Sequence, residues 1–137
     1  LVITTNPDEV YEPSGSGKFE LDSETAYIKA LTNKNFIYKT NTKVFVEINY
    51  KNNQPFFFDI IIHEITGQSF KIQFFMFNNT IDENGDLYWN KIYLELASTL
   101  INIPNMASYD ICFEMQRDKS VSNPIVLIDN VKVITDN

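Results

Sequence analysis

Apolar and polar residues alternate with a period of two along much of this chain, and this period predicts β-strands rather than helices. Every second residue is apolar from Val44 to Tyr50 and again from Tyr109 to Met115. Successive side chains of a strand point to opposite faces, so each run has one core face and one outer face. The outer face of the second run carries Asp110, Cys112, Glu114 and Gln116.

Eight segments with strand character are separated by short, polar turns. They are Lys18–Leu21, Ala26–Leu31, Lys43–Lys51, Phe56–Ile65, Phe70–Phe77, Tyr88–Leu96, Tyr109–Arg117 and Pro124–Ile134. A loop is predicted at Asn102–Ala107, after a short helical turn that begins at Ala97. Short strands joined by turns predict an all-β fold, a jelly-roll-like antiparallel β-sandwich of about eight or nine strands.

The chain of 137 residues is long enough for one domain with a sizeable core. Residues 1–16 are polar and rich in turn formers, and we expect them to form an N-terminal arm with room for a short edge strand. Residues 17–137 are predicted to form a single β-sandwich domain.

Charge and composition exclude several classes of partner. The net charge of −7 argues against nucleic acids and against anionic membranes bound through a basic patch. No apolar run is long enough to span a bilayer. The single histidine, His63, and the single cysteine, Cys112, offer little catalytic chemistry, and both are expected to be structural.

Four short segments occur in a distinctive order: Tyr11–Gly17, Val46–Lys51, Trp89–Leu94 and Leu127–Lys132. This series resembles uncharacterised surface-lipoprotein domains of Bacteroidetes, which are similar to the galactose-binding-like jelly rolls that include many carbohydrate-binding modules. The resemblance implies a jelly roll without catalysis. It also implies an extracytoplasmic location, secreted or at the cell surface, with a lipid anchor upstream. Pro13 departs from the glycine expected there and leaves the local turn geometry open.

The segment Tyr88–Leu96 carries the candidate ligand-binding residues. Its aliphatic residues share the core face, so Trp89, Lys91, Tyr93 and Glu95 share the other face. The two aromatic rings could stack on a sugar, while Lys91 and Glu95 hydrogen-bond its hydroxyls. The alternative is that Trp89 packs beneath a loop, as large aromatic side chains usually do.

Outward positions on other strands could complete this face. Glu114, together with Glu47 and Gln116, would line the same surface if the strands were neighbours. The alternative is that these residues are solvated polar groups on an exposed sheet face.

Glu12 and Asp129 are the candidate metal ligands. Many carbohydrate-binding jelly rolls hold a structural calcium between an acidic residue of the N-terminal segment and an aspartate of the last strand, and the resemblance places these two residues there. Asp129 also interrupts an apolar run, and a buried charge must be paired or bound to a metal. The alternative is that Asp129 accepts backbone N–H groups and tethers a loop. No cofactor is otherwise required.

These observations lead to three hypotheses of function. The leading one is a non-catalytic binding module of a secreted or cell-surface protein, with carbohydrate as its ligand. The second is a structural or protein–protein interaction domain of an envelope lipoprotein. The third is a glycoside hydrolase, which would need two carboxylates at a fixed separation.

Overall fold

The computed structural model describes residues 2–12, 14–22, 24–33 and 35–136. Pro13, where the resemblance expects a glycine, lies outside the described residues. The elements are β1 (Val2–Thr4), β2 (Ser16–Glu20), β3 (Tyr27–Leu31), β4 (Val44–Asn52), β5 (Phe56–Glu64), β6 (Ser69–Phe77), β7 (Asn90–Glu95), α1 (Ala97–Leu100), β8 (Met106–Gln116) and β9 (Ile125–Thr135).

Two antiparallel sheets form the fold and confirm the predicted jelly-roll-like β-sandwich. One sheet has five strands in the order β1-β2-β9-β4-β7, and the other has four in the order β3-β8-β5-β6. The edge strand β1 lies in the predicted N-terminal arm and pairs with β2. The helical turn predicted from Ala97 is α1. No helix among the described residues is long and apolar enough to cross a membrane.

The core lies between the inner faces of the two sheets, on the alternating positions that the sequence predicts. Phe58, Ile60 and Ile62 of β5 are fully buried, as are Val46 and Ile48 of β4. Rings at one end of the core stack closely: those of Phe56 and Phe77 are nearly parallel, with centroids 4.3 Å apart. Tyr109, Ile111, Phe113 and Met115 of β8 are buried as well, so the predicted core faces of β4 and β8 are confirmed.

Two expectations for β8 are wrong. The strand begins at Met106, inside the predicted loop, because Met106 and Ser108 pair with the end of β5. The solvated alternative is also wrong for Glu114, which like Asp110 is only 8% exposed, although Gln116 at the end of the strand is exposed. The reason is that β8 lies between β3 and β5, whose side chains shield it on both sides.

Strand boundaries depend on pairing at the ends of other strands as well. β2 begins at Ser16 rather than Lys18, because Ser16 pairs with Thr4 of β1. β7 begins at Asn90, so Trp89 precedes the strand. Shifts of this size are usual where a strand end is decided by its partner.

Removing part of the buried Ile60 side chain should destabilise the fold. We expect Ile60→Ala to lower the free energy of unfolding by about 2–5 kcal/mol, because it leaves a cavity between the sheets. Ile65→Ala is the matched control: Ile65 is 71% exposed, so its effect should stay within about 0.5 kcal/mol. Urea denaturation measures both, and equal effects would contradict this description of the core.

Candidate functional site

The outer face of the five-stranded sheet carries most of the predicted ligand-binding residues. Two cross-strand rows cross it from β7 through β4 to β9: Tyr93–Glu47–Lys132 and Lys91–Asn49–Asp129. Paired residues of neighbouring strands share a face, so these side chains all point away from the core. We call this surface the β7 face.

Glu47 sits between two lysines on the β7 face, beside an exposed ring. Its Oε1 lies 3.0 Å from Lys91 Nζ and 3.5 Å from Lys132 Nζ. The Tyr93 hydroxyl and the Lys91 ammonium lower the pKa of Glu47, so its carboxylate is ionised at neutral pH. Tyr93 is 54% exposed, and Lys91 Nζ lies 5.4 Å from the centroid of the Tyr93 ring. The face therefore presents an aromatic surface next to charged groups held in place.

Trp89 lies immediately before β7 and is only half-buried. The Tyr11 ring of the N-terminal arm packs edge-on against it, with centroids 5.6 Å apart. The predicted alternative, in which a loop packs against the indole, is thus realised in part, and a portion of Trp89 stays accessible beside Tyr93's strand.

Glu95 makes hydrogen bonds to the backbone that follows β7. Both of its carboxylate oxygens accept the backbone N–H of Ser98, at 3.2 and 3.3 Å. Hydrogen bonds from Ser98 lower the pKa of Glu95. Its role in the structure is to hold the first turn after β7.

Asp129 fastens the arm to the last strand. Its Oδ2 accepts the backbone N–H groups of Tyr11 and Glu12, both at 3.1 Å, and the Ser16 hydroxyl at 2.7 Å. The Glu12 carboxylate accepts the Asn130 amide at 3.0 Å instead of facing Asp129. Calcium needs oxygen lone pairs, whereas this oxygen is surrounded by N–H and O–H donors. The tether alternative is what the structure has, and Oδ2, with three hydrogen bonds to accept, is not available to a calcium ion. Calcium at Glu12 and Asp129 stays a prediction.

Asp82 and His63 both have structural roles. Asp82 Oδ1 accepts the backbone N–H groups of Asn84 and Asp86, both at 2.9 Å, and so closes a turn at Gly85. His63 contacts Ser69 Oγ through Nδ1 at 2.7 Å and Asp110 Oδ2 through Nε2 at 2.8 Å. Both ring nitrogens of His63 have partners, as expected for a structural histidine.

Glu114 does not lie with the other predicted ligand-binding residues. It is on the outer face of the four-stranded sheet, in register with Lys29 of β3 and Phe57 of β5. The conditional prediction that its strand borders the Trp89 segment is therefore not met. Gln116 is in the same strand and likewise belongs to the other sheet.

Glu114 belongs instead to a buried group of charges that sequence reasoning missed. Lys71 Nζ lies 2.6 Å from Glu114 Oε2 and 3.4 Å from Asp59 Oδ2. Cys112 Sγ donates to Glu114 Oε1 at 4.0 Å. We call Asp59, Cys112, Glu114 and Lys71 the Asp59 cluster. A signal existed: Asp59 is the one carboxylate inside the apolar run from Phe56 to Ile62.

Burial raises the pKa values of two groups in this cluster. The Asp59 side chain is 1% exposed, and loss of solvation raises its pKa. Burial likewise raises the pKa of the Cys112 thiol to about 12. Burial opposes ionisation of Glu114 too, but the hydrogen bonds from Lys71 and Tyr27 and the charge of Lys71 together outweigh it and lower the pKa of Glu114. The two carboxyls thus have pKa values that move in opposite directions.

Comparison with known proteins adds one finding on the fold. No protein-family model and no curated protein matches the chain. A solved structure, the non-crystalline-cellulose-specific carbohydrate-binding module CBM28, superposes with a TM-score of 0.50 at 14% sequence identity, over 87% of this chain and 73% of that one. The chain shares its fold with a carbohydrate-binding module. In this β-sandwich, the β7 face and the Asp59 cluster lie on the outer faces of different sheets.

Removing the Asp129 carboxylate should loosen the arm. We expect Asp129→Ala to lower the free energy of unfolding by about 1–3 kcal/mol, because three donors lose their acceptor. The emission of Trp89, the only tryptophan, should shift to the red as Tyr11 moves away. Asp136→Ala, at an exposed position, is the control. A wild-type melting temperature that falls in EDTA would contradict the hydrogen-bonded tether.

Asp59 should make stability depend on pH. Its folded-state pKa is raised, so the folded protein holds this proton more tightly than the unfolded chain, and stability falls as pH rises from the ordinary value of 3.8 through the raised one. Asp59→Asn removes the titrating carboxyl and with it this fall in stability. The stability of the variant relative to wild type should therefore increase over this pH range, as measured by urea denaturation. A difference that is flat or decreases with pH would refute the assignment.

Proposed function

We propose that this chain is a non-catalytic binding module that takes carbohydrate on its β7 face. The observation that carries the proposal is the exposed Tyr93 ring beside Glu47, Lys91 and Lys132, charged groups that the fold holds in place. The shared fold with a carbohydrate-binding module supports it.

Sugar recognition needs two kinds of surface together. The C–H face of a pyranose packs on an aromatic ring, and its hydroxyls require hydrogen-bond partners in the surrounding plane. Tyr93 offers the ring. Glu47 offers acceptors, while Lys91 and Lys132 offer donors. The Glu47 side chain is 9% exposed and paired with both lysines. It therefore loses little conformational entropy when a ligand binds.

The length of the β7 face favours an oligosaccharide. Trp89 precedes Tyr93 by four residues, a distance of roughly 13 Å along an extended strand. A single sugar ring cannot reach both aromatic side chains, whereas a short chain of rings can. Tyr11 borders the Trp89 end, so the arm would form one wall of the binding surface.

The carboxylates of this face favour binding over hydrolysis. A glycosidase needs one carboxyl kept neutral by a raised pKa to protonate the leaving group. On the β7 face the pKa values of Glu47 and Glu95 are both lowered. The carboxyl with a raised pKa, Asp59, belongs to the other sheet and is fully buried.

The test is a glycan array followed by titration calorimetry with the best soluble glycan, and with non-crystalline cellulose included in the screen. We expect Tyr93→Ala to weaken binding about two- to tenfold, since ring stacking contributes about 0.5–1.5 kcal/mol. Tyr93→Phe should retain the stacking. Glu47→Gln should weaken binding as well, because it removes the charge that orders the two lysines.

Tyr27→Ala is the matched control for this experiment. Tyr27 is 50% exposed, close to the 54% of Tyr93, but lies on the four-stranded sheet. Loss of binding in Tyr27→Ala with none in Tyr93→Ala would overturn the assignment to the β7 face. If the folded protein binds no glycan on the array, the carbohydrate proposal itself is overturned and the protein-interaction domain is favoured. The extracytoplasmic location stays a prediction.

A further inference from the structure

We propose that Asp59, Cys112 and Glu114 form a binding site for a divalent cation of the zinc class. The site lies on the outer face of the four-stranded sheet, away from the β7 face. In the metal-free chain the ammonium group of Lys71 takes the place of the cation.

The strand register brings the three ligands together. Asp59 of β5 and Cys112 of β8 are direct cross-strand partners, and Glu114 lies two residues along β8 on the same face. One ligand atom from each side chain lies within 4.8 Å of the others. Among the described residues this is the one group of three metal-ligating side chains that meets this distance. All three are buried, so solvent does not compete for their positions.

Asp59 is incompletely satisfied without a further cation. Neither of its carboxylate oxygens accepts a hydrogen bond from a described residue, although the side chain is 1% exposed. Its ion pair with Lys71 is long, at 3.4 Å from Oδ2. Buried carboxylates normally have hydrogen bonds or a metal, because desolvation of an unpaired charge is costly. Within the described residues Oδ1 has no hydrogen-bond partner, and this buried, unpartnered oxygen is a sign of a missing ligand that does not depend on the spacing of the three side chains.

The ligand types favour zinc over calcium or magnesium. Calcium and magnesium take oxygen ligands alone, whereas a thiolate with carboxylates suits zinc and its soft analogue cadmium. Three protein ligands leave one tetrahedral position open for water. When the metal binds, the Cys112 S–H bond breaks, a metal–sulfur bond forms, and the proton passes to the buffer. Affinity must therefore rise with pH.

Lys71 makes the site conditional. Its side chain is 43% exposed and belongs to the edge strand β6, so it can rotate into solvent while the backbone stays paired. The ammonium contacts both carboxylates, which means that metal and Lys71 compete for the same ligands. Removing the lysine charge should strengthen metal binding, a result that a purely structural salt bridge does not predict.

The experiment uses the full chain with Cd²⁺ as a spectroscopic probe and Zn²⁺ in competition with a chromogenic chelator. We expect one equivalent of Cd²⁺ to produce a thiolate-to-metal charge-transfer band in the ultraviolet. Cys112→Ser should abolish the band. Asp59→Asn and Glu114→Gln should each weaken Zn²⁺ binding about tenfold or more. Lys71→Gln should strengthen it, and Asp136→Asn, at an exposed position, should leave it unchanged.

Three results would overturn the proposal: no band in the folded wild-type protein, unchanged affinity in both carboxylate variants, or no gain in Lys71→Gln. Circular dichroism of each variant verifies that it is folded. Tyr93→Ala should bind Cd²⁺ like wild type. The two proposals can therefore fail separately: a negative glycan result does not contradict the metal site, and a negative metal result does not contradict carbohydrate binding.

Discussion

The burial of alternate residues of β4, β5 and β8 between the two sheets is the constraint on which the rest of this structure depends. Phe58, Ile60 and Ile62 cannot leave the core without opening it, and the period of two then directs Asp59 to the opposite face. The same argument places Glu47 beside Ile48 and Glu114 beside Phe113. The outward positions of these strands are therefore determined by the inward ones.

Charges on central strands are shielded by their neighbours, and this explains the chemistry of both outer faces. Glu47 and Glu114 lie on strands with a partner on each side. Lysines of the two adjacent strands cover Glu47, whereas Glu114 is covered by Lys29 of the adjacent β3 and by Lys71, which reaches it from β6 across β5. On the β7 face an exposed aromatic ring lies beside such a pair, and the carbohydrate proposal is based on this arrangement. The Asp59 cluster instead adds a thiol and a second carboxylate, which are ligands for a metal.

The arm and the bulge in β9 shape the edge of the β7 face. The register between β4 and β9 shifts between Glu47 and Asn49, and Asn130 takes a left-handed conformation there, with φ of 53°. A bulge of this kind redirects side chains, and here the Asn130 amide reaches Glu12 of the arm. Asp129, next to it, binds the arm backbone. Together they bring Tyr11 to Trp89.

Local alternation alone was sufficient for the all-β class, the core faces of β4 and β8, and the shared face of Lys91 and Tyr93, because strand period is a property of neighbouring residues. It could not place Glu114, which was grouped with Trp89 but lies in the other sheet. Nor could it show that Asp59 and Cys112, distant in the chain, are register partners. Which strands pair, and in what register, depends on how the whole set of apolar faces is buried together, and this was decided by the tertiary structure.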